Sequence, residues 1–470
     1  MRAKGKYLIL IPLILFFVSA ENFLLRPFWF DESLTLLNFA LLPLEKIYFS
    51  YVIPNNHIGY TYLLRLWYLV MPQGMPADVW CRLISFAFAG AFIIFSWKKF
   101  KGFVFRTALC SFSLSLPFVI YATSVRGYMA ALFFSMVTVY YAVKFAEKST
   151  WKNAFSFFLA SFCCVSVLPS NLLSLGASVF FAAPVCGKTF YSKKKIYLLS
   201  GMAILAFSVF WFPILPQLIR AGELGEGWSN RFASLFAGVV SFAACFFVPL
   251  FAAIFSLLLP YKNNKVRYLR AAVFLMLIPL AFAAKAAPFP RVYFPFFGIF
   301  LLVISCGAGR TLAWIRLRKI CQFKYVKSTF VLLSLGITLL LNFLPEAVDK
   351  LSEFNGGVQQ DDYFAPWYCR AEHVPHRAAE MLSKHEFSYC YLSFSSDPWS
   401  VMFYSALRGV DMGKFSFDGP RGRVEVLPDG AIVVLNRTEP VKELGKRFDG
   451  TYTLIAETPM HCIYRYETAR

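Results

Sequence analysis

The sequence predicts a polytopic α-helical membrane protein with a small soluble α/β domain at its C-terminal end, and three observations predict it. Of the 470 residues, 58% are hydrophobic and only 16% charged, and the mean hydropathy is +0.57. A soluble domain with that surface would aggregate, because large apolar patches persist only when something covers them. Apolar runs close to the roughly 20 residues a helix needs to cross a bilayer recur as far as about residue 345. Beyond Pro345 the composition turns to Gly, Asp, Pro and charge. The net charge of +21 fits Lys and Arg gathered in cytoplasmic loops beside anionic lipid better than it fits nucleic acid.

Eleven apolar segments are expected to span: 7–25, 79–97, 103–121, 127–145, 153–168, 171–187, 196–213, 236–260, 271–286, 291–308 and 328–345. No small-residue cleavage site follows the first, so it reads as a retained helix and not a removed signal peptide. A twelfth candidate, "HIGYTYLLRLWYLVM", is about fifteen residues long and carries Arg65 in its middle. Charge parity decides its place. With eleven spans, the loops on the N-terminal side are "RAKGK", "KKFKGFVFR", "KFAEKSTWK", "KTFYSKKK", "YKNNKVRYLR" and "GRTLAWIRLRKICQFKYVK", which hold 24 Lys and Arg. The opposite loops hold single ones: Arg26, Lys46, Arg65, Arg82, Arg126, Arg220, Arg231, Lys285 and Arg291. The positive-inside rule then puts the N-terminus in the cytoplasm, residues 26–78 in a long first external loop, and everything after 346 outside.

Two stretches of that loop, "ESLTLLNFALLPLEKIYF" and "HIGYTYLLRLWYLV", are amphipathic and suit helices lying on the membrane surface. Pro27, Pro43, Pro54 and Pro72 mark their boundaries. The domain division is therefore 1–350 for the membrane part and 351–470 for the external α/β domain. In the latter, "FSYCYLSF", "AIVVLNR" and "YTLIAET…HCIYRYE" read as strands and "DPWSVMFYSALRG" as a helix. Most of the eleven cysteines lie in apolar spans as packing residues. Cys369, Cys390 and Cys462 fall in the external domain, where at most one bridge can form, Cys390–Cys462 being one pairing.

No Gly-rich phosphate loop and no zinc-type Cys or His spacing occurs. An enzyme facing outside has no nucleotide-sugar supply, so activated substrate must arrive attached to lipid. Polar residues at the expected outer surface are the candidates. Asp31 and Glu32 open the first amphipathic stretch; helix capping is the simpler role, but one acid would suffice for it. Asn55, Asn56 and His57 stand at the head of the second, where a cap is again the simpler account. Arg126 and Tyr128 lie at the outer mouth of one span, and Lys285, Arg291 and Tyr293 at the mouths of two others, positions that interfacial anchors also occupy. Glu223 and Glu226 sit in a Gly-rich outer loop, the usual place for solvated acids. As a set, cations that bind a lipid phosphate and a carboxylate that activates a nucleophile would make a transferase cavity.

The order "FWFDES", "NNHIGYTYLLRLW", "CRLISFAFAGAFIIF", "YATSVRGYMAALFF" and "PFPRVYFPFF" resembles the integral-membrane GT-C glycosyltransferases. The likeness is to the bacterial branch related to protein O-mannosyltransferases and lipid A aminoarabinose transferases, and it covers roughly residues 20–300. Two departures stand out: Ile58-Gly59 replaces the family's Pro-Pro after the histidine, and Val292 is inserted in "PRVYFP". No second His stands in a later outer loop, which weighs against the zinc site of some relatives. The resemblance implies a polyprenyl-phosphate-linked sugar as donor and a glycan, lipid or protein hydroxyl as acceptor on the periplasmic face of the inner membrane. It implies Asp31 as catalytic base and Arg126 and Arg291 as phosphate ligands. Glu32 and His57 would position groups or, with Asp31, hold a divalent metal ion if one is used; a single displacement would invert the anomeric centre. A lipid-linked oligosaccharide ligase or polymerase, and a transporter or flippase of a lipid-linked substrate, are the rival readings. A transporter would show internal repeats and ionisable groups deep in the spans, and the sequence shows neither.

Overall fold

A computed structural model describes residues 9–51, 53, 56–186, 190–224, 231–258, 290–318, 323–343, 373–418 and 423–468. In chain order the helices are α1 (Leu10–Leu24), α2 (Phe30–Thr35), α3 (Leu44–Phe49), α4 (Ile58–Leu69), α5 (Ala77–Lys99), α6 (Phe103–Ser113), α7 (Leu116–Ala122) and α8 (Tyr128–Glu147). They continue with α9 (Trp151–Val167), α10 (Leu172–Cys186), α11 (Phe190–Trp211), α12 (Leu215–Leu224), α13 (Arg231–Leu258), α14 (Phe297–Leu317) and α15 (Phe323–Phe343). The C-terminal part then runs α16 (Pro375–Leu382), β1 (Cys390–Leu392), α17 (Pro398–Ala406), β2 (Phe415–Phe417), β3 (Ile432–Asn436), α18 (Val441–Gly445), β4 (Gly450–Glu457) and β5 (His461–Thr468).

The chain folds as two compact units, Met1–Leu24 with Leu44–Pro366, and Leu25–Pro43 with Trp367–Arg470. The segment that carries Asp31 and Glu32 thus belongs with the C-terminal residues, which a single boundary near 350 does not anticipate.

In the first unit, five helices among the described residues are long and apolar enough to cross a membrane: Ala77–Lys99, Tyr128–Glu147, Lys193–Ala221, Tyr293–Leu317 and Tyr325–Asn342. The expected single span 103–121 is two helices, α6 and α7, bent by 65°. The break follows from local chemistry. Ser113 and Ser115 donate to the carbonyls of Cys110 and Phe112, at 3.0 and 2.7 Å. Pro117 in the first turn of α7 has no N–H to continue the ladder, and the Leu116 N–H turns to Asn342 Oδ1 at 3.0 Å. Counting that pair as one span gives six, with shorter apolar helices at Trp151–Val167, Pro169–Ala183 and Ala243–Ser256. The described residues therefore do not establish the eleven expected; the segment 271–286 lies outside them.

Helix α13 is kinked at Phe246, three residues before Pro249, where proline removes the bond to the Cys245 carbonyl. Side chains of α15 reach the carbonyls at the break: Thr338 Oγ1 reaches Cys245 O at 3.5 Å and Asn342 Nδ2 reaches Ala244 O at 3.2 Å. Such re-satisfaction is what lets a Pro-kinked helix stand in an apolar surround.

Helix α4 is clasped to α5 by a parallel Trp67–Trp80 stack at 4.4 Å. Each indole N–H donates to the other residue's carbonyl at 2.8 Å. Its face bearing Ile58, Tyr60 and Leu64 is buried, while Leu66 and Leu69 are 53% and 59% exposed. An apolar exposed flank opposite a packed one is what an interfacial helix presents to lipid.

Among its described residues, the second unit holds a five-stranded sheet of order β2-β1-β3-β5-β4. Strand β1 runs parallel to β2 and β3, and β5 runs antiparallel to β3 and β4. Alternation along the strands sends Cys390, Leu392, Ile432, Val434 and Ile463 to the face covered by α16 and α17. Tyr391, Val433, Leu435 and Tyr466 go to the other face, against Leu427 and Phe448. The first amphipathic stretch does not form one surface helix. It breaks into α2, a π-helical turn at Leu36–Ala40 and α3, and Leu37 packs on the α17 side of the sheet. Cys390 and Cys462 are free thiols. Strand β3 lies between theirs, and Cys462 pairs with Leu435 while Cys390 pairs with Ile432. Two strand spacings of about 4.8 Å already exceed the Cα reach of a disulfide. Cys369 lies outside the described residues.

His461, fully buried on β5, bonds through Nε2 to the Ser396 carbonyl at 2.9 Å. Burial, with a smaller contribution from nearby His373, lowers its pKa to about 4. Because the folded value lies below the unfolded one, the stability it carries is present above about pH 6.5 and drains away as pH falls toward 4, by about 3 kcal/mol at most. Alkylation of buried Cys390 in the full chain, corrected for thiolate fraction, should therefore rise between pH 7 and pH 4.5. In His461→Gln that rise should flatten; an unchanged profile would show that His461 is not the group titrating.

Candidate functional site

In the first unit the turn "ATSVRG" between α7 and α8 builds the site. Thr123 and Ser124 hydroxyls bond back to the Val119 and Ile120 carbonyls at 2.8 and 2.6 Å, which ends α7 and frees the next residues to turn. Arg126 N–H then donates to Ser124 O at 2.8 Å, and α8 begins at Tyr128. Arg126 is 2% exposed, its guanidinium 5.6 Å from the Tyr128 ring centre, within cation–π range. Ser85 on α5 holds the Arg126 carbonyl at 3.3 Å and shares its hydroxyl with Tyr60 of α4 at 2.8 Å.

His57, at the head of α4, faces this turn. Its Nδ1 accepts the Gly127 N–H at 2.9 Å, and its ring meets Tyr128 edge-on at 4.8 Å. A neutral imidazole whose Nδ1 accepts carries its proton on Nε2. Metal-bound histidines show the reverse polarity, donating from the second nitrogen. His57 therefore does not fit as a metal ligand in this geometry. Among the described residues, no three His, Cys, Asp or Glu side chains are grouped to hold an ion.

The contact needs glycine. A Cβ on Gly127 would stand 2.5 Å from Val167 Cγ1 and 2.9 Å from His57 Nδ1. Asn56 is engaged inside the protein: its amide donates to Ile47 O and Ser50 O at 3.4 and 3.3 Å, and its oxygen accepts from Thr61 at 2.9 Å. It ties the preceding loop to α4.

The element carrying Arg291 and Tyr293 is a 3-10 segment, Pro290–Phe296, which lies along the first turns of α8. Ser135 Oγ reaches Pro295 O at 3.3 Å, and Tyr121 bridges Tyr128 and Phe294, with ring centres 5.0 and 4.8 Å away. Tyr293 is buried. His57, Arg126, Tyr128 and the Arg291–Tyr293 segment are thus joined at one end of α8. Lys285, Asn55 and Glu226 lie outside the described residues, as do the side chains of Arg291 and Glu223.

One residue missed in the sequence reading is Arg82. It is fully buried on α5, one turn before Ser85, with Nη1 on Leu24 O at 3.1 Å. A charge inside a span-length apolar helix was the signal that could have marked it.

In the second unit, Asp31 and Glu32 lie in the first turn of α2, 6% and 0% exposed. Glu32 Oε1 pairs with buried Arg26 at 3.6 Å, and its Oε2 accepts the Trp29 N–H at 3.3 Å. Glu32 thus caps the start of α2 and pairs with Arg26. Helix α2 is seated on α17 by Ser33 Oγ with Ser400 Oγ at 3.1 Å and by Phe28 N–H on Tyr404 Oη at 2.8 Å. Asp397 caps α17 on the Ser400 N–H at 3.3 Å and holds His373 Nε2 at 2.9 Å.

No family profile matches the chain, and no curated protein sequence matches it. Solved structures do. ArnT from Cupriavidus metallidurans, solved bound to undecaprenyl phosphate, superposes with a TM-score of 0.57 at 12% identity, over 99% of this chain and 98% of that one. The same protein in the apo state gives 0.57 and 12% over 98% of each. The Archaeoglobus fulgidus oligosaccharyltransferase in complex with Zn and sulfate gives 0.41 and 10%, over 84% of this chain and 61% of that one. The chain has the fold of ArnT, so the resemblance read from the sequence is borne out at the level of fold.

Replacing Gly127 by Ala should lower stability by about 1–3 kcal/mol through overpacking against Val167 and His57. Gly90→Ala, where a Cβ meets nothing within 4 Å, should be neutral or stabilising. Thermal unfolding of the two variants side by side checks this; equal midpoints would show that the turn can give way.

Proposed function

We propose that this chain is a GT-C glycosyltransferase that moves a sugar from a polyprenyl-phosphate-linked donor to an acceptor hydroxyl, inverting the anomeric centre, on the outer face of the inner membrane. The observation that carries the reading is the likeness in fold, over nearly the whole of both chains, to a protein solved with undecaprenyl phosphate. The basic loops support the orientation, with the N-terminus and the Lys-rich turns in the cytoplasm.

The roles are assigned unit by unit. In the membrane unit, Arg126 and Arg291 take the lipid phosphate, where negative charge grows as the glycosidic bond breaks and fixed cations act most strongly. Tyr128 steers the Arg126 guanidinium through its ring face. His57, with its proton on Nε2, offers a hydrogen-bond donor and sets the head of α4. In the other unit, Asp31 takes the acceptor proton. Glu32, neutralised by Arg26 and the Trp29 N–H, holds the backbone of α2 in place. No step is routed through a metal ion.

Asp31→Asn separates base from cap, because Asn caps a helix about as well as Asp but cannot accept the proton. Sugar transfer from purified lipid-linked donor should fall about 10²–10⁴-fold, the usual loss of a general base, with the melting temperature held. Glu32→Gln should cost less in turnover and more in stability. Turnover near wild type in Asp31→Asn would remove the base from Asp31.

Arg291→Met keeps an apolar stem and deletes charge-assisted bonds of about 1.5–3 kcal/mol each. Donor affinity should drop at least about tenfold in a binding titration with purified donor. Unchanged affinity would make Arg291 an interfacial anchor.

A further inference from the structure

At the other end of the membrane unit, where α5 turns into α6 beside α14 and α15, the structure holds a cavity of about 560 Å³, within the size range of small-ligand pockets. About 21 Å of helix, at 1.5 Å per residue, separates Lys99 on its rim from Ser85, which touches Arg126. It is therefore distinct from the site above and does not depend on the function proposed for that site. Its lining includes Lys99, Lys101, Arg316 and Lys327, with no acid among the described residues that line it. Its interior is apolar, with Val104, Leu302 and Leu312 on the walls. Lys327 lies over the Phe103 ring at 5.6 Å and Lys99 over Tyr140 at 5.1 Å, so two of the ammonium groups are steered by aromatic faces at the lip. Gly309 leaves the wall open: a Cβ there would find its nearest neighbour, Val104 Cγ2, 4.0 Å away.

We propose that this cavity binds an anionic phospholipid, its phosphate among the four cations and an acyl chain along the Leu302–Leu312 wall. Both halves of the lining are needed for the assignment. Lys99 and Arg316 sit in the C-terminal turns of α5 and α14, Lys101 in the loop after α5 and Lys327 near the start of α15, the level at which spanning helices enter and leave the hydrocarbon, and basic pockets between helices at that level recognise acidic headgroups. A free phosphate would satisfy the rim but leave an apolar chamber unfilled; a zwitterionic lipid would fill the chamber but bring no net negative charge to the rim.

The test titrates the full-length protein, delipidated in detergent, with short-chain phosphatidylglycerol, short-chain phosphatidylcholine and inorganic phosphate, reading bound lipid by native mass spectrometry. Phosphatidylglycerol should bind at least about tenfold tighter than phosphatidylcholine, and millimolar phosphate should not displace it. Lys101→Gln/Arg316→Gln should abolish the preference. Gly309→Leu, which fills the chamber and replaces a helical glycine with a better helix former, should weaken phosphatidylglycerol while leaving the rim and the fold intact. Equal binding of the two lipids, displacement by phosphate, or wild-type affinity in Gly309→Leu would each overturn the assignment. Should the double variant fail to fold, Gly309→Leu still decides it.

Discussion

Burying two adjacent carboxylates is the constraint around which the second unit is arranged. Taking an ion out of water costs several kcal/mol even after relaxation, and Asp31 and Glu32 are 6% and 0% exposed. Glu32 is met by Arg26 and by the Trp29 N–H, which requires residues 26–32 to hold one backbone path. That path is fixed from the far end of the sequence. The Phe28 N–H rests on Tyr404, the Phe28 ring meets Phe403 at 5.1 Å, and Ser33 meets Ser400. Helix α17, which supplies these contacts, is capped at its N-terminus by Asp397 in a left-handed conformation at φ 56°. A non-glycine residue pays for that conformation in strain, and Asp397 is kept there by its bonds to His373 and the Ser400 N–H. One linked set of buried polar groups thus runs from Arg26 to His373.

The same set explains what the sequence could and could not disclose. Helices α8 to α11 were legible because each is an apolar run of sustained length. Strands β3 and β5 were legible because their apolar residues alternate between two covered faces. The membership of Leu25–Pro43 in the C-terminal unit was not, since Phe28 and Tyr404 are 376 residues apart and no local period records so distant a partner. "ESLTLLNF" read as amphipathic for a good reason: it has an apolar face, and that face is buried on protein. The bend inside 103–121 escaped because Ser and Pro are common enough in membrane helices that "CSFSLSLP" gives no unambiguous stop. The cysteine pairing failed on topology, which spacing alone does not fix. Of the candidate site, His57, Arg126, Tyr128 and Tyr293 were legible as polar or aromatic residues at the ends of apolar runs, whereas Arg82 was counted as a loop charge.

The Ile58-Gly59 pair, where the glycosyltransferases that the sequence resembles carry Pro-Pro, acquires a physical reading. Two prolines would stiffen the start of a surface helix. This chain instead brings the helix close: a Cβ on Gly59 would lie 2.3 Å from Ser166 Oγ, as one on Gly127 would crowd Val167 and His57. Ser166 and Val167 are consecutive residues at the end of α9. The two glycines therefore dock α4 and the α8 turn on the same helix end, and the His57–Gly127 bond joins them. A fixed helix head is reached by close packing here, where proline reaches it by restricting φ.

The distribution of cations follows the same logic and resolves the net charge of +21 into two kinds of site. Every buried cation among the described residues is an arginine: Arg26, Arg82 and Arg126. Guanidinium is weakly hydrated, stays charged when desolvated and spreads its charge over several directed donors, so it can be taken into protein where an ammonium would lose its proton or its water. None of the described lysines is fully buried, and Lys98, Lys99 and Lys101 are exposed where α5 leaves the membrane. An ammonium there keeps its hydration and meets anionic lipid at the interface. Arg126 near the head of α8 and Lys144 in its last turn are thus the same charge put to different physical uses at opposite ends of one helix. Counting Lys and Arg together orients the chain, but only their separation by burial shows which of them the fold has taken into its interior.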